Sequence, residues 1–440
     1  MASDIPFEEV ELSAVALNGD AGFVDGPFGS NLPASDYIGQ GIPVIRGSNL
    51  AKGDVRFKLD DFVFVSEATA DRLDRSTCKP RDIIFTKKGT LGQVGIVPAK
   101  PFGRYLLSSN QMRLRVDEAQ ANPDYVYYAV STDEAIARVI RDAEHTGVPK
   151  TNLAYIRRFR IPLPPRDIQD RICALVVSLD DRIDILRQTN ATLESIAQAL
   201  FKSWFIDFDP VRAKAEGREP EGLDAATAAL FPSEFEESEL GPIPKGWRAA
   251  RVGDVFSITM GQSPPGETYN EVGEGLAFYQ GRTDFGFRFP AVRVYCTAPT
   301  RLAQAGSVLV SVRAPVGDVN VALEECAIGR GVAAVRLDAA PAFSLYTMKA
   351  LRDHFIGYES HGTVFGSINK KQFEALPCVL PSSGVLQAFA SMAGPMDARI
   401  RMNELLSRSL TTLRDALLPR LISGKLRLPE AEEQIDEALA

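Results

Sequence analysis

The stretch LDDRIDILRQTNATLESIAQALFKSWF, from Leu179, returns in diverged form as MDARIRMNELLSRSLTTLRDALLPRLI, from Met396. Asp180, Arg182 and Ile183 become Asp397, Arg399 and Ile400, each 217 residues further on. The register also holds upstream. HTGVPKTNLAYIRRFRIPLPP, from His145, aligns with GTVFGSINKKQFEALPCVLPS, from Gly362, so that Thr146, Asn152, Leu163 and Pro164 fall on Thr363, Asn369, Leu380 and Pro381. No gap is needed from there to Leu200, which lands on Leu417. Self-similarity at a fixed offset is the mark of a repeated structural unit. What one half of this chain does, the other does in altered form.

Further upstream the halves agree with small shifts, as loop insertions produce. RDIIFTKKGTLGQVGIVP, from Arg81, resembles AGSVLVSVRAPVGDVNVA, from Ala305, each a strand, a turn and a strand. GIPVIRGSNL, from Gly41, resembles GLAFYQGRTDF, from Gly275, and GPIPKGWRAARVGDVF, from Gly241, has an eroded counterpart in IPFEEVELSAVA, from Ile5. The expected fold is α/β (α+β), with two repeated β-rich α/β domains joined by two long antiparallel coiled-coil helices in pseudo-two-fold symmetry. The expected order is a first domain at 1–163, a central helix at 164–208, an acidic linker at 209–241, a second domain at 242–380, a second long helix at 381–426 and an acidic tail at 427–440.

The helices are read from spacing. Proline closes each domain, and apolar residues then recur in steps of three and four at Ile168, Ile172, Leu175, Leu179, Ile183, Leu186, Leu193, Ala197 and Leu200. An extra step of four between Leu179 and Ile183 marks a stutter in a coiled-coil seam. The second copy supplies Val385, Phe389, Met392, Met396, Ile400, Leu410 and Leu417. Asn190 occupies a seam position, with Ser407 as its repeat counterpart, and a polar seam residue fixes register at some cost in stability. At 1.5 Å per residue such a helix extends about 50 Å, longer than a domain of this size is wide. Two helices of that length are expected to bury each other.

A chain of 440 residues exceeds one ordinary core. No apolar run approaches the roughly 20 residues of a membrane span, and MASDIPFEEVEL lacks both a basic and an apolar leader region, so the expected location is cytoplasmic. Cys78, Cys173, Cys296, Cys326 and Cys378 lie far apart with no C-x-x-C, which fits reduced core thiols. The net charge of −8 argues against indiscriminate coating of nucleic acid while leaving room for a local basic face. Much of the excess acid sits in the linker and tail.

Catalytic motifs are missing. His145, His354 and His361 have no metal-ligand spacing, and no P-loop, G-x-S-x-G or G-x-G-x-x-G after a strand occurs. NPDY at 122–125 approaches the N-P-P-Y/F signature of adenine-N6 methyltransferases, but Asp124 replaces its second proline and no glycine-rich loop for S-adenosylmethionine accompanies it. It reads as a helix start, Asn then Pro then an acidic first turn. GPFGS at 26–30 reads as a loop.

Across essentially its whole length the chain resembles the specificity (S) subunit of type I restriction-modification enzymes. The resemblance rests on SELGPIPKGW at the start of the second half, IIFTKKGTLGQVG and its copy VLVSVRAPVGDVN, RIPLPPRDIQDRI before the central helix, ALFKSWFIDFDPVRAK at its end, and LLPRLISGKLRL. The N-terminal IPF departs from the I-P-x-G-W pattern of the second half. The resemblance implies a non-catalytic subunit whose two target-recognition domains each read one part of a split double-stranded DNA site. It implies paired helices that set the spacer and dock two modification subunits. Those subunits would carry S-adenosylmethionine, restriction subunits would carry ATP and Mg, and this chain would hold no cofactor and contact no membrane. Two other readings stay open: a protein-binding scaffold with incidental DNA contact, and the DNA-reading part of a fused methylation or restriction enzyme.

Candidate DNA contacts fall in the repeated loops. Lys87 and Lys88 follow IIFT, and Arg313 holds the matching place, suited to phosphates or guanine, or else part of an ordinary solvated turn. Arg46, Ser48 and Asn49 in VIRGSN pair with Gln280 and Arg282 in YQGR, bearing groups that read base edges. Lys150, Thr151 and Asn152 pair with Ser367, Asn369 and Lys370, where the matched asparagines fit a turn or cap as well as DNA contact. Arg157, Arg158 and Arg160 extend a basic face or are simply solvated. Phe201, Trp204 and Phe205, with Phe208, are candidates for docking a partner subunit, or for capping the coiled coil internally.

Overall fold

Hydrogen-bonded strands sort the computed structural model into two sets with one shared topology. The structure describes residues 7–18, 22–52, 55–144, 148–356, 358 and 366–439. His145, Thr146, His361 and Thr363 lie outside the described residues. The chain divides into two compact units, Met1–Asp184 with Ser407–Ala440, and Ile185–Leu406.

In the first unit, Glu8–Glu11 pairs antiparallel with Arg160–Leu163. A four-stranded sheet runs in the order Phe23–Asp25, Gln111–Leu114, Ile83–Thr86, Val94–Ile96. A five-stranded sheet runs Tyr37–Ile38, Val63–Val65, Ile42–Ile45, Tyr105–Leu107, Thr77–Cys78. The second unit repeats this. Arg248–Arg251 pairs with Pro377–Leu380. Its four-stranded sheet is Ser257–Met260, Val332–Arg336, Val308–Ser311, Val319–Val321, and its five-stranded sheet is Tyr269–Asn270, Tyr295–Cys296, Leu276–Tyr279, Cys326–Ile328, Leu302–Ala303. Each five-stranded sheet has one parallel pair, at the same place. IIFT and VLVS are buried at every position, as unbroken apolar runs at the centre of a covered sheet should be.

Both long helices span 40 residues, Arg166–Phe205 and Ser383–Ile422, about 60 Å each. Start and end alike are displaced by the 217-residue step. Within the first unit Asp180 of the first long helix binds Arg414 of the second at 2.7 Å, and Arg171 faces Glu432 of the tail helix. Within the second unit, Asn190 meets Asn403 and Phe201 meets Phe389, so the long-helix segments there run antiparallel.

The seam differs in detail from the sequence expectation. The buried seam of the first helix runs through Ile172, Val176, Leu179, Ile183, Leu186, Asn190, Glu194, Ala197, Phe201 and Trp204, with Gln169, Cys173, Asp180 and Phe205 buried beside it. The extra step of four therefore falls between Asn190 and Glu194, with Leu175 and Leu193 only half-buried. On the second helix Ala393 replaces Met392, and Asn403 and Arg414 join the buried set. Asn190 is polar and buried as expected. Its physical partner is Asn403, whose amide nitrogen donates to the Asn190 oxygen at 2.8 Å, while the repeat counterpart Ser407 is a separate buried position.

A cluster of Arg, Tyr and Asp recurs in each unit, with Tyr128, Asp180, Arg288 and Tyr346 buried and Arg56 and Asp397 half-buried. The Arg56 and Arg288 carbonyls accept hydrogen bonds from Ile96 and Val321, which occupy matching strands. Tyr128 donates to Asp180 at 2.6 Å, and Tyr346 donates to Asp397 at 2.9 Å. Arg56 lies over the Tyr128 ring at 5.6 Å, and Arg288 lies over Tyr346 at 5.9 Å while binding Asp397 at 2.6 Å. Arg288 also pairs with Glu194, which Lys349 approaches to 2.5 Å. Burial raises the phenol pKa of both tyrosines, so each stays a hydrogen-bond donor. These contacts tie each β domain to the helix segment of its own unit.

The stretch read as an acidic linker is a packed part of the second unit. It carries helices Asp209–Ala215 and Ala225–Ala229 and the hairpin Phe235–Ser238 with Gly241–Pro244, and Phe208, Val211 and Phe231 join the core. The acidic tail forms a helix, Leu428–Leu439, that buries Ala431 and Ile435.

Candidate nucleic-acid interface

Loops that the sequence treats separately come together in each unit. In the first, Gly26 donates its N–H to the Gln111 carbonyl at 2.9 Å. A Cβ there would stand 1.9 Å from the Ser108 oxygen, so only glycine lets these segments touch. Lys87 donates its N–H to Asn110 at 2.7 Å, and its carbonyl accepts from Thr151 at 2.9 Å. Gly89 donates to Pro149, and Lys88 pairs with Lys150 as an isolated bridge. The turn at Gly47 lies beside the Gln93 side chain. Residues 26–31, 46–49, 87–93, 108–111 and 148–152 thus form one loop cluster.

The second unit builds the same cluster from other residues. Gly261 donates to Val332, and a Cβ there would meet the Gly329 oxygen at 2.2 Å. Gly331 donates to Gln280, Val312 to Gly331, and Ile368 to Val312. Arg313 and Ser367 form the bridge that Lys88 and Lys150 form in the first unit. Arg330, which the sequence reading passed over, is exposed here and donates through Nε to the Ser263 hydroxyl at 3.3 Å. Its signal is positional, for it directly follows the strand Cys326–Ile328 and Gly329.

The candidate residues divide by what their side chains already do. Lys88, Lys150, Ser48, Asn152, Gln280, Arg282, Arg313, Ser367, Asn369 and Lys370 are exposed. Lys88 and Arg313 make no ion pair among the described residues. Lys87 sits on Asp25 at 2.9 Å, Arg46 on Asp61 at 3.1 Å, Lys150 on Glu144 at 3.0 Å and Arg282 on Asp318. Asn49 is a correction. Fully buried, it accepts from the Arg46 N–H and donates to the Asp60 carbonyl at 2.8 Å, so its amide closes a loop and has no face left for a base. Thr151 is buried as well. Asn152 and Asn369 each cap a short helix, Leu153–Arg157 and Lys370–Glu374, by accepting an N–H three residues on. Arg158 and Arg160 bond to their own domain at Ala154 and Glu9, and Arg157 lies over the Phe23 ring. Asn122 of NPDY caps the helix Pro123–Ser131, and Asp124 is held by Arg56 and Arg81.

The docking expectation for Phe201, Trp204 and Phe205 is overturned. They are 4%, 2% and 4% exposed, stacked among Phe231, Trp247, Phe343 and Phe389. The helix ends on an aromatic face because the second domain packs on it, and that burial leaves nothing for a partner to grip. No group of metal-ligating side chains occurs among the described residues, and no described helix is long and apolar enough to cross a membrane.

A family model of the type I restriction modification DNA specificity domain matches residues 34–195. The putative type I restriction enzyme MjaX specificity subunit of Methanocaldococcus jannaschii is 27% identical, covering 88% of each chain. The HindI specificity subunit of Haemophilus influenzae is 25% identical over 77% of this chain and 87% of its own. The fold matches that of a type I restriction-modification system S subunit from M. genitalium, solved by crystallography, with a TM-score of 0.61 at 13% identity, over 96% of this chain and 98% of that one. With the topology of the matched first half repeated in the second, and each copy tied to a long helix segment, the chain is similar along its length to the DNA specificity subunits of type I restriction-modification systems.

Proposed function

We propose that this chain selects a bipartite, asymmetric DNA site, with one half-site read by each loop cluster. The supporting observation is one strand scaffold built twice, with different side chains at its loop ends. The first cluster presents Lys88, Lys150 and Ser48, and the second presents Arg313, Arg330, Gln280 and Gln262. Lysine offers a point charge suited to phosphate, whereas arginine and glutamine offer forks that bind guanine and adenine edges in pairs of hydrogen bonds. Identical scaffolds with unlike tips read unlike sequences.

In this reading the chain does no chemistry itself. S-adenosylmethionine and adenine methylation belong to modification subunits docked on the long helices, and ATP and Mg to restriction subunits. The test is single-molecule sequencing of adenine methylation in cells with and without the gene. Loss of one spacer-containing motif on deletion is the expected result, and an unchanged methylome in cells expressing the modification subunit would refute it.

A further inference from the structure

Phe28 is the most exposed large apolar side chain among the described residues, at 81%. Its loop is anchored on both sides. Gly26 is bonded to Gln111, Asn31 donates its N–H to the Phe28 carbonyl at 2.8 Å, Arg72 holds the Asn31 carbonyl at 3.0 Å, and Leu32 is buried. The ring is therefore held outward by a fixed backbone. Its surroundings carry lysines. Lys87 sits on Asp25, three residues before the ring, Lys150 sits on Glu144, and Lys88 stands exposed on the adjoining loop with no ion pair among the described residues. An apolar ring beside a group of lysines complements a polyanion with apolar faces between its charges, which is the surface of a nucleic acid.

The second unit shows what the position looks like without the ring. Gly261 makes the close approach to Gly329 that Gly26 makes to Ser108, so the two glycines are equivalent. Two residues on from Gly261 stands Ser263, its hydroxyl bonded to Arg330. At this position an aromatic side chain stands in the first unit and a serine in the second.

We propose that Phe28 inserts at a base step of the half-site read by the first unit and partly unstacks it. The inference rests on the DNA-specificity reading above. Side chains of this type act as wedges that kink a duplex at the step they enter.

The experiment uses the full chain assembled with its modification subunit and a duplex carrying its site, with 2-aminopurine placed at successive positions. Fluorescence is expected to rise at one step of one half-site and at none of the other. Phe28→Ala should abolish the rise and weaken binding about 5- to 150-fold. Phe28→Leu, still an apolar wedge, should keep most of the affinity, and Ser263→Ala should leave the signal intact. Unchanged affinity and fluorescence in Phe28→Ala would overturn the inference. So would loss of the modification subunit from the Phe28→Ala complex before DNA is added, since the ring would then face a protein. A wild-type complex that selects its site without unstacking any step defeats this inference alone, whereas one that prefers no sequence defeats the specificity reading with it.

Discussion

Arg288 is 3% exposed and is shared by two carboxylates, Glu194 and Asp397, and by the Tyr346 hydroxyl at 3.2 Å. Two acids on one buried cation leave a large deficit when that cation is removed. Arg288→Ala is expected to destabilise the second unit by about 3 to 5 kcal/mol in chemical denaturation; a loss below 1 kcal/mol would mean the group is solvated. The same group sets an acid limit. Burial alone would raise the Glu194 carboxyl, but Arg288 and Lys349 outweigh it and hold the pKa below the ordinary 4.5. A carboxyl with a depressed folded pKa contributes stability above its unfolded value and loses it as pH falls through the folded one. The second unit should therefore weaken progressively below pH 4.5, and Glu194→Gln should flatten that dependence. If the wild-type and Glu194→Gln curves are parallel, the carboxylate is not the acid-sensitive group. Sequence reading found none of this. Tyr128 and Tyr346 are offset by one residue from the main register, and Arg56 and Arg288 sit in loops of different length, so no alignment by apolar pattern brings them together.

The long helices were the most legible elements, because two prolines and a sustained three-four spacing specify where such a helix starts and which stripe it buries. Their interior was less so. Leu175 and Leu193 outrank Val176 and Glu194 in hydrophobicity, yet Val176 and Glu194 occupy the seam. Glu194 can be there only because Arg288 reaches it across 94 residues of sequence, information absent from any local window. The Asn190–Asn403 pair gives a test at this scale. Asn403→Leu leaves the buried Asn190 oxygen without its donor, and Asn190→Leu leaves the Asn403 amide without its acceptor, so each should cost about 1 to 3 kcal/mol, whereas the double change should cost less than the two together. Strictly additive single costs would show that the two amides do not depend on each other. Trp204 belongs to the same scale, since its indole fills the junction between helix end and domain. Trp204→Ala should lower the stability of the isolated chain by about 3 to 5 kcal/mol, measured with no partner present. A fully stable Trp204→Ala chain that fails only in assembly would restore the docking role.

For the molecule as a whole, the sharing of one architecture by the two halves could be anticipated from the repeat, but the strand order and the loop clusters could not. Lys88 and Lys150, or Arg313 and Ser367, meet only after three strands and two helices have been folded between them. The duplication makes the two clusters independently testable. Lys88→Ala should weaken DNA binding by the assembled complex across sequences and reduce the salt slope by about 1, whereas Arg313→Ala, with a planar fork lost, should relax one half-site and spare the other. Equal effects of both changes on both half-sites would contradict a division of labour. The partition of the chain has a further consequence, concerning time. The second unit is one continuous stretch, Ile185–Leu406, while the first is finished only by Ser407–Ala440. Asp180 waits for Arg414 across 234 residues. At about 5 to 20 residues per second, a ribosome needs roughly 12 to 47 s to deliver that partner. Through that interval the apolar stripe Ile172–Ile183 is synthesised without its partner on the second helix, and the second unit, complete at Leu406, is finished only just before that partner arrives. Nascent chains should therefore be vulnerable to chaperone capture and proteolysis around this stripe until the helical turns from Ser407 onward close the first unit.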